Sequence, residues 1–300
     1  MNDRNQTITI SLAADDNYAI PLGITICSIV ANKKPGYLLE IFVIDGGISQ
    51  DNQNKIKSIT SERADVKIYF LPIESSLNEH QLPEIGHLKK MAYARLFVPN
   101  IIDRERILYL DSDMIIRTDL ADLFATNLDN MLLAAVAEPK AGELIKQRGS
   151  NLTEYYNSGL LLFNTRLWRQ ENLTQKCLDF IKSYPEKIKL ADQDALNYLG
   201  QGRIVRLNQN FNYEIVYNEP EQIKDQAILH YIADLKPWHK QYPNSVKEYR
   251  KYAELSPWKS NWRTSKVDFK TTSRIWGKTK LFLKHIPGLK PLVKKILGRN

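Results

Sequence analysis

Short apolar runs punctuate the first third of the chain at spacings that leave room for a helix between one and the next. Ile8-Thr-Ile-Ser-Leu-Ala-Ala, Leu38-Leu-Glu-Ile-Phe-Val-Ile, Val66-Lys-Ile-Tyr-Phe-Leu and Arg106-Ile-Leu-Tyr-Leu are dense in β-branched and aromatic residues, as buried strands are. Residues 21–31, 50–60 and 88–97 carry helical spacing, with Ser49 placed to cap the second of these helices. This alternation predicts an α/β fold, a single mixed but mostly parallel sheet flanked by helices. Farther on, Leu132-Leu-Ala-Ala-Val-Ala, Gly159-Leu-Leu-Leu-Phe, Arg203-Ile-Val-Arg-Leu and Ala227-Ile-Leu-His-Tyr-Ile add strands, and 165–183 and 192–199 add helices. In such sheets ligands bind beyond the carboxyl ends of the strands. The first run ends in Asp15-Asp16-Asn17-Tyr18 and the fourth in Asp111-Ser-Asp113, so both polar clusters are expected at one crevice.

Charge divides the chain unevenly. The net charge is +8 over 300 residues, yet residues 259–300 hold twelve Lys/Arg against Asp268 alone, leaving 30 bases and 33 acids before them. We therefore expect a mildly acidic body, residues 1–258, and a basic helical tail, residues 259–300, with the boundary near Ser256-Pro-Trp. Trp258, Trp262, Phe269, Trp276, Leu281 and Phe282 among the lysines suggest amphipathic pieces lying on an anionic membrane surface; a solvated basic tail would look similar. Nucleic acid is not expected as a partner, because the body has no basic patch with interleaved aromatics. No stretch reaches the roughly 20 apolar residues of a membrane span, and the start lacks a signal-peptide pattern. Cys27 and Cys177 form no metal pattern and read as reduced core residues of a cytoplasmic protein.

Asp111 and Asp113 leave a buried strand together, where two carboxylates are costly unless a cation such as Mn²⁺ or Mg²⁺ neutralises them. The spacing itself is weak evidence. Eighteen aspartates give two Asp-x-Asp triplets here, the other being Asp192-Gln-Asp194, and a solvated turn capping residues 119–124 would use the same residues. Asp15-Asp16-Asn17 could likewise be a helix cap before Ala19.

Six landmarks in order give the pattern specificity: Ala13-Ala-Asp-Asp-Asn-Tyr18, Tyr93-Ala-Arg-Leu96, Leu108-Tyr-Leu-Asp-Ser-Asp113, Tyr156-Asn-Ser-Gly159, Asp192-Gln-Asp194 and His230-Tyr-Ile-Ala-Asp-Leu-Lys-Pro-Trp238. Over about 225 residues they resemble glycosyltransferase family 8, in particular the bacterial lipopolysaccharide galactosyltransferase type. The resemblance implies a GT-A fold, a UDP-sugar donor, Mn²⁺ and retention of anomeric configuration. It implies Asp111, Asp113 and His230 as metal ligands, with Lys236 adding charge at the diphosphate. Asp15, Asn17 and Tyr18 would meet the uracil, Arg95 the sugar or the base, and Asp111, Ser112, Asn157, Gly159, Asp192 and Gln193 the donor sugar. Gln193 is then placed opposite the leaving group, a poor nucleophile that suits a front-side mechanism; Asp192 as covalent nucleophile is the competing assignment.

Two departures stand out, Ala233 where the family has glycine and Glu138 where an aspartate aligns near the acceptor. The implied acceptor is a glycan or a lipid-linked molecule at the inner membrane leaflet. Two other functions are open, a catalytically silent nucleotide-sugar-binding partner and a sugar nucleotidyltransferase. The latter needs a glycine-rich basic loop, and residues 8–20 hold neither Gly nor Lys/Arg.

Overall fold

The computed structural model describes residues 6–73, 77, 80, 82, 90–148, 151–215, 228–232, 236–239 and 246–263. In chain order the strands are β1 (Gln6–Ala14), β2 (Tyr37–Asp45), β3 (Val66–Pro72), β4 (Arg106–Leu110), β5 (Met114–Ile116), β6 (Leu133–Ala137), β7 (Tyr156–Asn164), β8 (Ile204–Leu207), β9 (Tyr213–Ile215) and β10 (Ile228–Tyr231). The helices are α1 (Ala19–Asn32), α2 (Gln50–Ser58), α3 (Ala94–Ile101), α4 (Ala121–Phe124), α5 (Ala141–Arg148), α6 (Thr165–Gln170), α7 (Leu173–Ser183), α8 (Asp192–Gly200) and α9 (Lys247–Leu255).

Seven strands form one sheet in the order β3-β2-β1-β4-β7-β6-β8, the mostly parallel sheet that the alternation predicts. Only β7 is reversed, antiparallel to both β4 and β6. That reversal brings the amino end of β7 to the edge where β1, β4 and β6 present their carboxyl ends, so Asn157 and Gly159 arrive beside Asp15, Asp111 and Glu138. A three-stranded sheet, β5-β10-β9, joins the large one at this edge and carries His230. Strands of three residues give too little alternation to read from sequence, which is why β5 and β9 had no expected counterpart.

The core has two faces. Along β4, Leu108 and Leu110 belong to the cluster around α1 and α9, whereas Ile107 and Tyr109 belong to the one around α3, α7 and α8. Period-two alternation of a strand buried on both sides produces this division. The helix expected at 165–183 is two helices, because Asn172 adopts the left-handed conformation (φ 52°) and turns the chain between α6 and α7.

Trp258 and Trp262, counted above among the membrane-facing aromatics, are instead in the core, 2% and 8% exposed. Trp262 packs at a tilt against Tyr249 of α9, with ring centroids 5.6 Å apart. Trp258 lies directly on Gly23 of α1, where a Cβ would come within 2.2 Å of its ring. The packed body therefore runs past residue 258, the expected boundary. The rest of the basic stretch, from 264, and Ala233 lie outside the described residues. Among the described residues no helix is long and apolar enough to cross a membrane.

Candidate active site

The turn that follows β4 is held through its backbone. Helix α1 carries a polar stripe at helical spacing, Thr25, Ser28 and Asn32, inside an otherwise apolar buried face. Thr25 Oγ1 donates to the carbonyls of Ser112 (3.0 Å) and Met114 (2.8 Å), Ser28 Oγ accepts from Ile116 N–H (2.9 Å), and Asn32 Nδ2 donates to Ile116 O (2.9 Å). Ser112 itself donates its hydroxyl to Ala13 O (2.7 Å) and ties the turn to the end of β1. On the other side, Asp111 N–H donates to Gly159 O (2.8 Å). The Ser112 hydroxyl, its proton committed to Ala13 O, thus braces two strand ends.

Asp111, Asp113 and His230 converge, one ligand atom from each lying within 4.8 Å of the others. His230 Nε2 is 3.2 Å from Asp113 Oδ1 and 3.8 Å from Asp111 Oδ2. Asp113 Oδ1 is buried and has no well-aligned hydrogen-bond donor among the described residues. Gly159 borders the same space: a Cβ there would come within 2.5 Å of His230 Cε1 and 2.9 Å of Asp111 Oδ2. Two carboxylates, one imidazole, an unsatisfied buried oxygen and a glycine that keeps the cradle open form a donor set suited to a hard or borderline divalent cation. The three side chains named in the sequence reading are thus brought together.

Lys236 Nζ donates to Asp113 Oδ2 (2.7 Å) and Tyr231 O (2.6 Å). Although burial opposes it, Lys236 and His230 together hold the Asp113 carboxyl well below the usual carboxylate range. Burial pushes Asp111 the other way, upward, partly offset by Arg95. His230 is raised despite its burial, because Asp113 favours the imidazolium.

Arg95 is buried between two carboxylates, and its Nε donates to Ala92 O (3.0 Å). Its Nη2 is 2.9 Å from Asp111 Oδ1 and its Nε 3.2 Å from Asp192 Oδ2, while Nη1 donates to the carbonyl and hydroxyl of Ser158. The guanidinium, expected at the sugar or the base, here lies between Asp111, Asp192 and Ser158. Asp192 is pushed up to about 6 by burial, against the pull of Arg95. It follows Ala191, which sits at φ 51°, ψ −121°, a strained conformation for a non-glycine residue that aims the start of α8 at the site.

Gln193 and Asn157 are brought in as expected, but both amides are engaged. Gln193 Oε1 accepts from Ser158 N–H (2.9 Å), and its Nε2 donates to Glu138 (3.0 Å). Asn157 Nδ2 donates to Glu138 (2.9 Å) and Glu214 (3.2 Å), and its Oδ1 accepts from Gly159 N–H (2.8 Å) and Asn212 Nδ2 (2.8 Å). Glu214 is pushed up to about 8 by burial and the neighbouring Glu138. Asp194 turns away from the cleft: it accepts from the N–H groups of Lys189 and Leu190 (2.6 Å each) and from the Tyr155 hydroxyl.

At the end of β1, Asp15 caps the short turn at residues 16–18 by accepting from Tyr18 N–H (3.2 Å), while Asn17 and Tyr18 are exposed. The Tyr18 ring meets Trp238 edge-on, centroids 5.6 Å apart. Asp16 points elsewhere, capping α2 through Ser49 N–H and Asn52 (2.8 Å each).

Asn212, Glu214 and the polar stripe of α1 had no place in the sequence reading. Asn212 lies in a polar stretch before β9 with no spacing that marks it, and only the closing of the second sheet puts it behind His230.

The architecture is of the GT-A glycosyltransferase type. The sequence model of glycosyl transferase family 8 matches residues 9–242, and the chain belongs to that family. General stress protein A of Bacillus subtilis (strain 168) is 29% identical over 278 residues, covering 85% of this chain and 96% of that one. The lipopolysaccharide 1,2-glucosyltransferase of Escherichia coli (strain K12) is 27% identical over 278 residues, 86% of this chain and 80% of that one. A solved structure of the galactosyltransferase LgtC in complex with donor and acceptor sugar analogues superposes with a TM-score of 0.70 at 25% identity, over 88% of this chain and 99% of that one.

Proposed function

We propose that this chain is a retaining hexosyltransferase that moves galactose or glucose from a UDP-sugar to a glycan or lipid-linked acceptor. The single observation that carries the reading is the convergence of Asp111, Asp113 and His230 at the strand-end edge of a family 8 chain. Those three would hold Mn²⁺, or Mg²⁺ in its place, which supplies positive charge where the departing diphosphate becomes negative. Lys236, 2.7 Å from Asp113, brings a fixed cation to the same place. Asp15 and Asn17 offer an acceptor and an amide to the pairing edge of uracil, and Tyr18, 38% exposed, offers a face to its ring.

The reaction breaks the bond between the anomeric carbon and the phosphate oxygen while the acceptor oxygen bonds to the same face of the sugar. The acceptor proton passes to the leaving phosphate oxygen. One observation favours this front-side course over a covalent intermediate: the Gln193 amide, a poor nucleophile, is occupied by Ser158 and Glu138. Gly159 keeps the space above the trio clear. Asn157 and Arg95 hold the groups that face the sugar instead of meeting it themselves.

Incubating the full chain with a panel of UDP-sugars and Mn²⁺, and reading hydrolysis and transfer by mass spectrometry, tests the function. Slow release of UDP from one hexose donor is expected; no turnover of any donor with any acceptor would favour a silent binding partner. The basic stretch beyond residue 263 would attach the body to an anionic inner-leaflet surface, each base contributing about 1 kcal/mol. Vesicle co-sedimentation of the full chain against one ending at residue 263 should show the loss; equal partitioning rules the attachment out.

A further inference from the structure

The chain of amides behind His230 has a direction that can be worked out from one fixed atom. A backbone N–H can only donate, so the Asn157 atom 2.8 Å from Gly159 N is its oxygen. The NH₂ is then at the other end of the same amide, 2.9 Å from Glu138 and 3.2 Å from Glu214. That oxygen is also 2.8 Å from Asn212, whose facing atom must then be its own NH₂. The remaining atom of Asn212 is its oxygen, 2.9 Å from His230 Nδ1, and an oxygen can only accept. Nδ1 therefore carries a hydrogen, and in the neutral ring Nε2 is left with its lone pair toward Asp111 and Asp113. All three side chains are buried, Asn212 to 2% exposure, so water does not compete for these bonds.

We infer that Asn212, oriented by Asn157, is a positioning residue that fixes the tautomer and aim of His230 so that Nε2 is delivered as a ligand atom. The inference rests on the metal reading above for its purpose but not for its geometry. Partners of this kind behind a metal-bound histidine are worth 10- to 100-fold in affinity. The Asn157 amide is saturated by four protein partners, which removes it from direct sugar binding and makes it the anchor of the relay.

The test uses the full chain labelled with ¹⁵N-histidine. It has five histidines, and the His230 signals are assigned by their loss in His230→Gln. In the metal-free protein, titrated until the ring is neutral, the wild-type spectrum is expected to show hydrogen on Nδ1 and a bare Nε2. Asn212→Leu should lose that preference and bind Mn²⁺, measured by calorimetry, about 10- to 100-fold more weakly. Asn212→Asp, which still offers an oxygen to Nδ1, should keep the tautomer. Hydrogen on Nε2 in the neutral wild-type ring, or an unchanged tautomer and Mn²⁺ affinity in Asn212→Leu, would overturn the proposal. Tautomer loss in that variant with unchanged affinity would overturn the positioning of a metal ligand. If Asp113→Ala binds Mn²⁺ as the wild type does, the metal reading fails by itself, and the metal-free spectrum still decides whether Asn212 sets the ring.

Discussion

Asp111-Ser-Asp113 and Asp192-Gln-Asp194 have the same spacing and opposite fates. The first triplet leaves a strand into a turn pinned by α1, and both carboxylates reach toward His230. The second opens a helix, where residues two apart point to nearly opposite sides. Asp192 accordingly faces Arg95 and the cleft, while Asp194 is buried behind it on Tyr155 and two backbone N–H groups. A motif three residues long is thus read by its backbone. In a turn it gathers charge, and on a helix it separates a cleft group from a structural one.

The largest effect that would sharpen this contrast is expected from Asp113→Ala. Removing one member of the trio should lower donor turnover by about 10³-fold, the several kcal/mol that a bound cation contributes to a leaving diphosphate. Unchanged turnover, followed as UDP release, would break the comparison. Gly159→Ala places a methyl 2.5 Å from His230 Cε1, and should weaken Mn²⁺ binding about 10- to 100-fold in calorimetry while the secondary structure seen by circular dichroism is kept.

Asp194→Ala should do the reverse. It leaves two N–H groups and a hydroxyl without their acceptor and should cost about 2–4 kcal/mol in denaturant unfolding, with Mn²⁺ affinity unchanged. A folded Asp194→Ala that no longer bound Mn²⁺ would make the two triplets alike after all.

The smallest effect belongs to Asp192. Its carboxyl is raised in the folded chain from 3.8 to about 6. The folded state thus holds the proton more tightly than the unfolded one. The stability this confers is complete below pH 3.8 and is lost as pH rises through 6. In metal-free protein, Asp192→Asn should flatten the fall of the urea midpoint between pH 4 and 6; an unaltered slope would mean that Arg95 already compensates the charge.

What the sequence made legible follows the same division. Runs long enough to show a period located β1, β2, β3, β4 and the crossover helices. The residues at the carboxyl end of β4 located Asp111 and Asp113, since a parallel sheet sends those ends to one edge; His230, inside β10 of the second sheet, came only with the family resemblance. The six ordered landmarks pointed to the family, which the match over residues 9–242 shows. Direction was not legible. β7 reads as a buried strand whichever way it runs, yet its reversal is what carries Asn157 and Gly159 to the edge. Partnership was not legible either. Arg95 looks like any arginine early in a helix until Asp111 and Asp192 close on it, and Asn212 acquires its place only from pairing between β9 and β10. The tryptophans at 258 and 262 were read by their basic neighbours, but burial depends on what lies opposite, and opposite Trp258 is the bare backbone of Gly23.

That contact sets a floor on how far the protein can be shortened from its basic end. The indole fills the gap at Gly23 on the same helix whose Thr25 and Ser28 grip the aspartate turn two to five positions farther along. Trimming back through Trp262 and Trp258 would uncover that helix and slacken its hold on the carboxylates. A shortened form that lost activity in this way would mimic loss of membrane attachment although no lipid was involved.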